Sequence, residues 1–303
     1  MSLYHKYRPG NLESIYGNGD IIKSLQNMLG DVETCPKVFL LHGPTGCGKT
    51  TIGRIIAKEL ECVGNDFREI NSADFRGIDS VRDIIKQSRF KSLESPCRIW
   101  LIDECHRLTT DAQNAILKLL EDPPKNVYFI LCTTDPQKLI STVRGRCSQF
   151  AVKALSERQM FQLLREIITA EGEQLSKTIY EQIYQDSFGY PRNALQILEQ
   201  VLRADPEQRL EIAKQSALQV SESIALCRAL LSKNDWKKVL GILNGLKDQE
   251  PESIRRHVIG YASAVLLKEE NDHAAYILEE FMEPNFTNGF PQLVLSCYTV
   301  IKG

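Results

Sequence analysis

Short apolar runs alternate with helical periodicities through the first half of the chain. Val38–His42 is apolar, brief and followed by glycines, which predicts a buried strand. A helix is expected from Lys49 to about Glu61, then a strand at Phe67–Asn71 and a helix at Ser80–Ser88. Arg98–Asp103 reads as another strand. Thr110–Glu121 reads as a helix, with apolar positions at Ala112, Ala115, Ile116, Leu119 and Leu120 before Pro123-Pro124 stops it. Val127–Thr133 and Gln149–Val152 complete a predicted set of five strands. Strands separated by helices imply a parallel sheet covered on both faces.

Strand patterns cease after about residue 153. Ser156 and Gln159 have the spacing of a capping box, and three or four helices are expected to about Arg203. Asp205-Pro206 marks a boundary. About five helices follow, separated by 233–235, 248–251, 271–272 and 284–290. The expected fold class is an α/β P-loop domain with a parallel five-stranded sheet (1–152), a small helical domain (153–204) and an all-α domain (205–303).

Composition narrows this picture. A chain of 303 residues, 43% of them hydrophobic, has enough apolar material for two or three domains. A net charge of -2 argues against coating nucleic acid through bulk charge, but leaves room for a local basic stripe. The nine cysteines contain no C-x-x-C pair, so a zinc ribbon is not expected, and reduced thiols in a cytoplasmic protein are. The first twenty residues carry Lys6, Arg8, Glu13 and Asp20 and no leader-like apolar run. Val258–Leu267 is too short to span a bilayer, so no membrane partner is expected.

Two motifs carry chemistry. Gly43-Pro44-Thr45-Gly46-Cys47-Gly48-Lys49-Thr50, followed by Thr51, satisfies G-x-x-x-x-G-K-[ST] between a strand and a helix. Glycines let backbone N–H groups converge on phosphates, and the helix N-terminus adds partial positive charge. Lys49 is expected to reach the β- and γ-phosphates of ATP, and Thr50 to ligate Mg²⁺. The strand Arg98–Asp103 then ends in paired carboxylates: Asp103 as the Mg²⁺ partner, Glu104 as general base toward water. The next strand, from Val127, ends in two threonines, Thr133 and Thr134, where a hydroxyl could meet the γ-phosphate or the attacking water, or simply cap the strand end.

These pieces resemble the AAA+ ATPases. More narrowly they resemble sliding-clamp loader subunits: the bacterial DNA polymerase III gamma/tau subunit, the small subunits of replication factor C and phage loader ATPases. The resemblance covers roughly the first 200 residues closely. It implies that Tyr7-Arg8-Pro9 and Ile15-Tyr16-Gly17 flank the adenine, and that Thr134, within Thr133-Thr134-Asp135-Pro136-Gln137-Lys138-Leu139, is the sensor on that strand. Arg146-Cys147 is similar to the end of a Ser-Arg-Cys motif whose arginine enters a neighbouring subunit's ATP site; here Gly145 replaces the serine and Arg144 lies close by. Gly189-Tyr190-Pro191-Arg192 resembles the start of the sensor-2 helix, with Arg192 contacting ATP in its own subunit.

The same resemblance implies that Arg76, Arg82, Lys86 and Arg89 track DNA phosphates. The bland alternative is a solvated helix face with Asp79 and Asp83 as local partners. Lys118 is a further DNA candidate, and Gln113 a residue that could couple DNA contact to Glu104. The implied partners are other loader subunits in a pentameric spiral, a ring-shaped sliding clamp and primer-template DNA. The implied setting is the cytoplasm: the nucleoid, the nucleus of a eukaryote, or the host cytoplasm for a phage. Only Cys62 lies between the P-loop helix and the next strand, so no cysteine-rich zinc module is expected there, and a subunit without the long tau-type tail is expected, an outline similar to the replication factor C and phage subunits. Two other functions remain open from sequence: another DNA-acting AAA+ machine, such as a branch-migration motor, and a structural loader subunit that binds nucleotide without turnover.

Overall fold

The computed structural model describes residues 1–72, 77–213, 222–232, 235–247, 249, 251–267, 270–283 and 289–303. The described residues form two compact units, one from His5 to Gln159 and one from Met1–Tyr4 with Met160–Gly303.

The first unit is built on a five-stranded sheet: β1 (Val38–His42), β2 (Phe67–Asn71), β3 (Arg98–Asp103), β4 (Val127–Thr133) and β5 (Ser148–Ala151), in the order β2-β3-β4-β1-β5. Every pairing is parallel, with Leu40 opposite Leu131, Leu101 opposite Ile130 and His42 opposite Ala151. Parallel strands carry apolar residues on both faces because helices cover both. Phe39, Leu40, Leu41, Ile99, Leu101, Phe129 and Ile130 are accordingly fully buried, each contributing roughly 1.5–3 kcal/mol of transfer free energy. β4 lies between β1 and β3, so the carboxyl ends of three neighbouring strands converge on one edge.

The helix predicted from Lys49 to about Glu61 ends at Glu59; Leu60 caps it and Glu61 turns to φ 56°. The helix predicted at Ser80–Ser88 runs from Ile78 to Gln87, and the last strand lies one residue earlier than Gln149–Val152. Two N-terminal helices, Leu3–Lys6 and Gly19–Leu29, were not anticipated.

The second unit is helical. Glu157–Ala170 begins with the expected capping box: Ser156 N–H donates to Gln159 Oε1 at 3.0 Å, and Gln159 N–H to Ser156 Oγ at 3.4 Å. Lys177–Ser187 and Pro191–Arg203 follow, then Glu222–Leu231, Trp236–Gly245, Pro251–Leu266, Asp272–Phe281 and Gly289–Lys302. Among the described residues, no helix is long and apolar enough to cross a membrane.

Candidate functional site

The loop between β1 and the helix Lys49–Glu59 is made by three glycines at positive φ: Gly43 at 146°, Gly46 at 80° and Gly48 at 99°. Gly43 is also sterically fixed. A Cβ there would sit 2.1 Å from the carbonyl oxygen of Val152. The strand exit beyond β5 therefore abuts the loop, and Val152 N–H donates to His42 O at 2.7 Å.

Lys49 is buried, and its ammonium donates to the carbonyls of Gly43 and Pro44, both at 2.9 Å. Burial pushes its pKa down; Glu104 is the largest of the groups pulling it back up. Burial raises the Cys47 thiol to about 11, so this loop cysteine is protonated at neutral pH.

The two motifs meet side by side. Thr50 Oγ1 donates to Asp103 Oδ2 at 2.8 Å, and the other Asp103 oxygen accepts from Glu104 N–H at 2.9 Å. A hydroxyl and a carboxylate in contact form a hard-oxygen donor set that suits Mg²⁺. The convergent backbone of the loop, with a buried cation behind it, suits a polyphosphate. The residues present thus fit a magnesium nucleotide: Thr50 and Asp103 toward the metal, Lys49 and the loop N–H groups toward the phosphates. Among the described residues there is no cluster of three or more His, Cys, Asp or Glu side chains that could hold a metal ion by themselves.

Glu104 follows β3 in the left-handed region, φ 51°, which turns its side chain out of the strand path. A short turn, Cys105–Arg107, comes next. Within it His106 Nδ1 lies 3.0 Å from Thr133 Oγ1 and 3.5 Å from Glu104 Oε2. Burial, with Lys138 and Arg107 as the next contributions, lowers the His106 pKa to about 4. The imidazole is therefore neutral at pH 7, and its contact with Glu104 is a polar one between an uncharged ring and a carboxylate. Thr133 is fully buried, and its hydroxyl oxygen also accepts Asp135 N–H at 3.0 Å. Thr134, the sequence-predicted sensor, is half-buried just past the end of β4. Thr133 was read from sequence only as one of two strand-end threonines and His106 not at all, because nothing in a histidine two residues beyond a carboxylate pair marks it before the ends of β3 and β4 are seen to be adjacent.

The N-terminal segments attach to this region. Lys58 Nζ donates to Gly10 O at 2.9 Å, tying the stretch after Tyr7-Arg8-Pro9 to the P-loop helix. Gly17, after Ile15 and Tyr16, has φ 69°, and a Cβ on it would meet Leu155 Cδ2 at 2.6 Å. Next to it, Asn18 exchanges two hydrogen bonds with the backbone of Lys153, at 2.8 and 3.2 Å. The first segment is thereby attached to the P-loop helix, and the second to the strand exit that abuts Gly43.

Arg146 follows the short helix Ser141–Arg144. Its guanidinium donates to Thr142 O at 2.8 Å and pairs with Glu121 at 3.2 Å. Arg144, the alternative finger, donates instead to Gln137 Oε1 at 3.0 Å. Gln113 is buried and holds three backbone groups: it donates to the carbonyls of Leu108 and Lys138 and accepts Ile140 N–H at 2.9 Å. Arg192 lies in the helical unit, where it donates to Tyr4 OH at 3.1 Å with its guanidinium carbon 5.0 Å from the Tyr4 ring centroid.

The basic stripe is only partly assembled. Arg76 lies outside the described residues. Arg82 and Lys86 are exposed on one helix, but each has an acidic neighbour, Asp79 at 2.9 Å and Asp83 at 3.8 Å. Arg89 falls beyond the helix end at Gln87, in a turn, so the predicted continuation of the stripe to i+7 is interrupted.

A parallel sheet with the phosphate-loop strand beside β4, and the paired carboxylates at the end of β3, defines a P-loop fold of the AAA+ kind. Solved structures agree on that fold. The Thermotoga maritima RuvB Holliday junction branch migration motor matches with TM-score 0.59 and 19% identity, over 95% of this chain and 90% of that one. Its R170A variant matches with TM-score 0.61 and 18% identity. A family model for the DNA polymerase III delta subunit matches residues 64–156, a segment that starts after the phosphate loop. Among curated proteins, DNA polymerase III subunit gamma of Buchnera aphidicola subsp. Schizaphis graminum is 30% identical over 80% of this chain and 73% of its own length. The Mycobacterium tuberculosis gamma/tau subunit is 31% identical over 67% of this chain, and the Bacillus subtilis tau subunit 29% identical over 88%. The chain belongs to the DNA polymerase III gamma/tau family. It spans 39% of the mycobacterial relative's length and 52% of the Bacillus one.

Proposed function

We propose that this chain is an ATPase subunit of a sliding-clamp loader: ATP binding opens the ring-shaped clamp, and DNA-triggered hydrolysis releases it on primer-template DNA during replication. One observation carries the reading. In a chain of the gamma/tau family, Lys49, the Thr50–Asp103 pair and Glu104 stand together at the carboxyl edge of one sheet. The bound magnesium ion would supply charge neutralisation for the phosphates. Glu104 takes the proton of the attacking water, Thr134 senses the γ-phosphate, and Lys49 binds the phosphate oxygens.

Arg146 serves a neighbouring subunit's site as the finger, and Arg192 couples the helical segment 153–204 to nucleotide state. Residues 205–303 form the collar of a pentameric hetero-oligomeric spiral. Arg82, Lys86 and Arg89, with Arg76, meet DNA phosphates. Cytoplasmic replication is the setting. Intact Lys49, Asp103 and Glu104 favour turnover over a purely structural subunit.

The test is steady-state ATPase of the assembled subunit with DNA alone, clamp alone and both. Synergy of the two supports the loader. Stimulation by DNA alone, indifferent to clamp, supports a motor of the kind whose fold this chain shares.

A further inference from the structure

The turn after β3 places an uncharged imidazole between the general base assigned to Glu104 and the end of β4. We infer that His106 is a positioning residue: it donates from Nδ1 to Thr133 Oγ1 at 3.0 Å with Glu104 Oε2 in polar contact at 3.5 Å, and so biases the direction in which the Glu104 carboxylate faces the reacting water. This rests on the ATPase reading above.

The argument is one of donors and acceptors. Glu104 as a carboxylate only accepts. Thr133 Oγ1 already accepts Asp135 N–H at 3.0 Å, which orients its remaining lone pair and its proton. His106 Nδ1 faces that oxygen at 3.0 Å and the carboxylate at 3.5 Å. A bare Nδ1 lone pair in this position would repel the carboxylate. An Nδ1–H satisfies both oxygens. We therefore take the Nδ1–H tautomer, which serves both oxygens and leaves Nε2 as the unprotonated nitrogen.

The arrangement has a mechanical result. Glu104 sits at φ 51°, off the strand, with its carboxylate beside His106. His106 ties it to Thr133, the residue before the proposed sensor Thr134 and the register partner of His42 at the start of the phosphate loop. Base, sensor strand and loop strand are thus referenced to one rigid edge. Misplacing a catalytic group by about an ångström can cost about 100-fold in rate, so a side chain that bridges base and strand matters.

The experiment uses the full chain, assembled for turnover, with kcat measured separately from affinity for a fluorescent ADP analogue. His106→Ala is expected to lower kcat about 10–100-fold while affinity changes less than about two-fold. His106→Asn, whose Nδ2–H can replace the lost donor, is expected to recover most of that loss. In the Glu104→Gln background, His106→Ala should cost no further rate, because the residue acts through Glu104. Unchanged kcat in His106→Ala, or a loss that adds fully to that of Glu104→Gln, overturns the inference.

A readout independent of turnover is the nitrogen NMR of labelled histidine in the unaltered chain, with His106 assigned from the Asn variant. The Nδ1–H tautomer, perturbed by Glu104→Ala, is expected. An Nε2–H tautomer indifferent to Glu104→Ala overturns the inference even if the alanine variant fails to fold. Absence of ATPase in the unaltered assembly would instead remove the functional reading, and the tautomer measurement would still decide the role of His106.

Discussion

At the scale of single residues, the site depends on positions where only one side chain fits. Gly43 combines φ 146° with a Val152 carbonyl 2.1 Å from where a Cβ would go. Gly43→Ala must therefore move the loop or the strand exit. The expected outcome is loss of nucleotide binding by titration, with about 1–3 kcal/mol of destabilisation by urea melts; a variant that binds nucleotide normally would show that the loop tolerates displacement. The eight-residue phosphate motif and the two carboxylates were legible in sequence because their chemistry demands fixed spacing. The pairing of His106 with Thr133 was not, since it depends on β3 and β4 being neighbours, which spacing along the chain does not encode.

At the scale of elements, the loop between the helix Ile78–Gln87 and β3 is held from within. Asp66 is fully buried, and its carboxylate accepts N–H groups from Leu93, Glu94 and Ser95 and an ion pair from Arg98 at 3.1 Å. Arg98 in turn donates to the carbonyls of Gln87, Phe90 and Lys91. Burial by itself would push the Asp66 pKa up. The three N–H donors and the guanidinium more than offset it and bring the value to about 2. A folded pKa below the unfolded one means stabilisation that is complete above about pH 4 and is lost as pH falls toward 2. Asp66→Asn should therefore be less stable than the unaltered chain at pH 7, with the gap narrowing by roughly 2 kcal/mol as pH falls through that window, read from urea midpoints. A gap that stayed constant with pH would remove the carboxylate from this account.

The elements themselves were read well where periodicity was strong. All five strands and the helix Thr110–Glu121 lie within a residue of expectation. Helix ends shifted by up to two residues, since backbone turns such as Glu61 at φ 56° are set by tertiary contact. The helix expected to end at Ser88 ends at Gln87, so Arg89 lies in the turn beyond it, and the basic stripe runs along the helix only through Arg82 and Lys86. Arg82→Glu with Lys86→Glu is still expected to weaken DNA binding and to reduce the steepness of its salt dependence by about two phosphate equivalents. An unchanged slope would leave those side chains to their Asp79 and Asp83 partners alone.

At the scale of the whole molecule, turnover on the proposed reading requires a second copy or a paralogue. Arg146→Ala should leave nucleotide binding by a single chain intact and reduce the ATPase of the assembly by about 10³-fold or more. Normal activity would remove the finger assignment from Arg146, and Arg144→Ala would then be the variant to measure. The division between segments 1–152, 153–204 and 205–303 was drawn from the disappearance of strand patterns after about residue 153 and from Asp205-Pro206, both signals local to one chain. The contribution of one chain to another's site leaves no such signal.

The bond between Arg146 and Glu121 sets the energy scale of that encounter. For the role proposed, the guanidinium must let go of one anion as it takes up another. What the encounter gains is then the difference between two pairings, and Glu121 is 63% exposed, so the pairing given up is worth roughly 1 kcal/mol or less. So weak a pairing opposes the encounter little, and added electrolyte will weaken both pairings together.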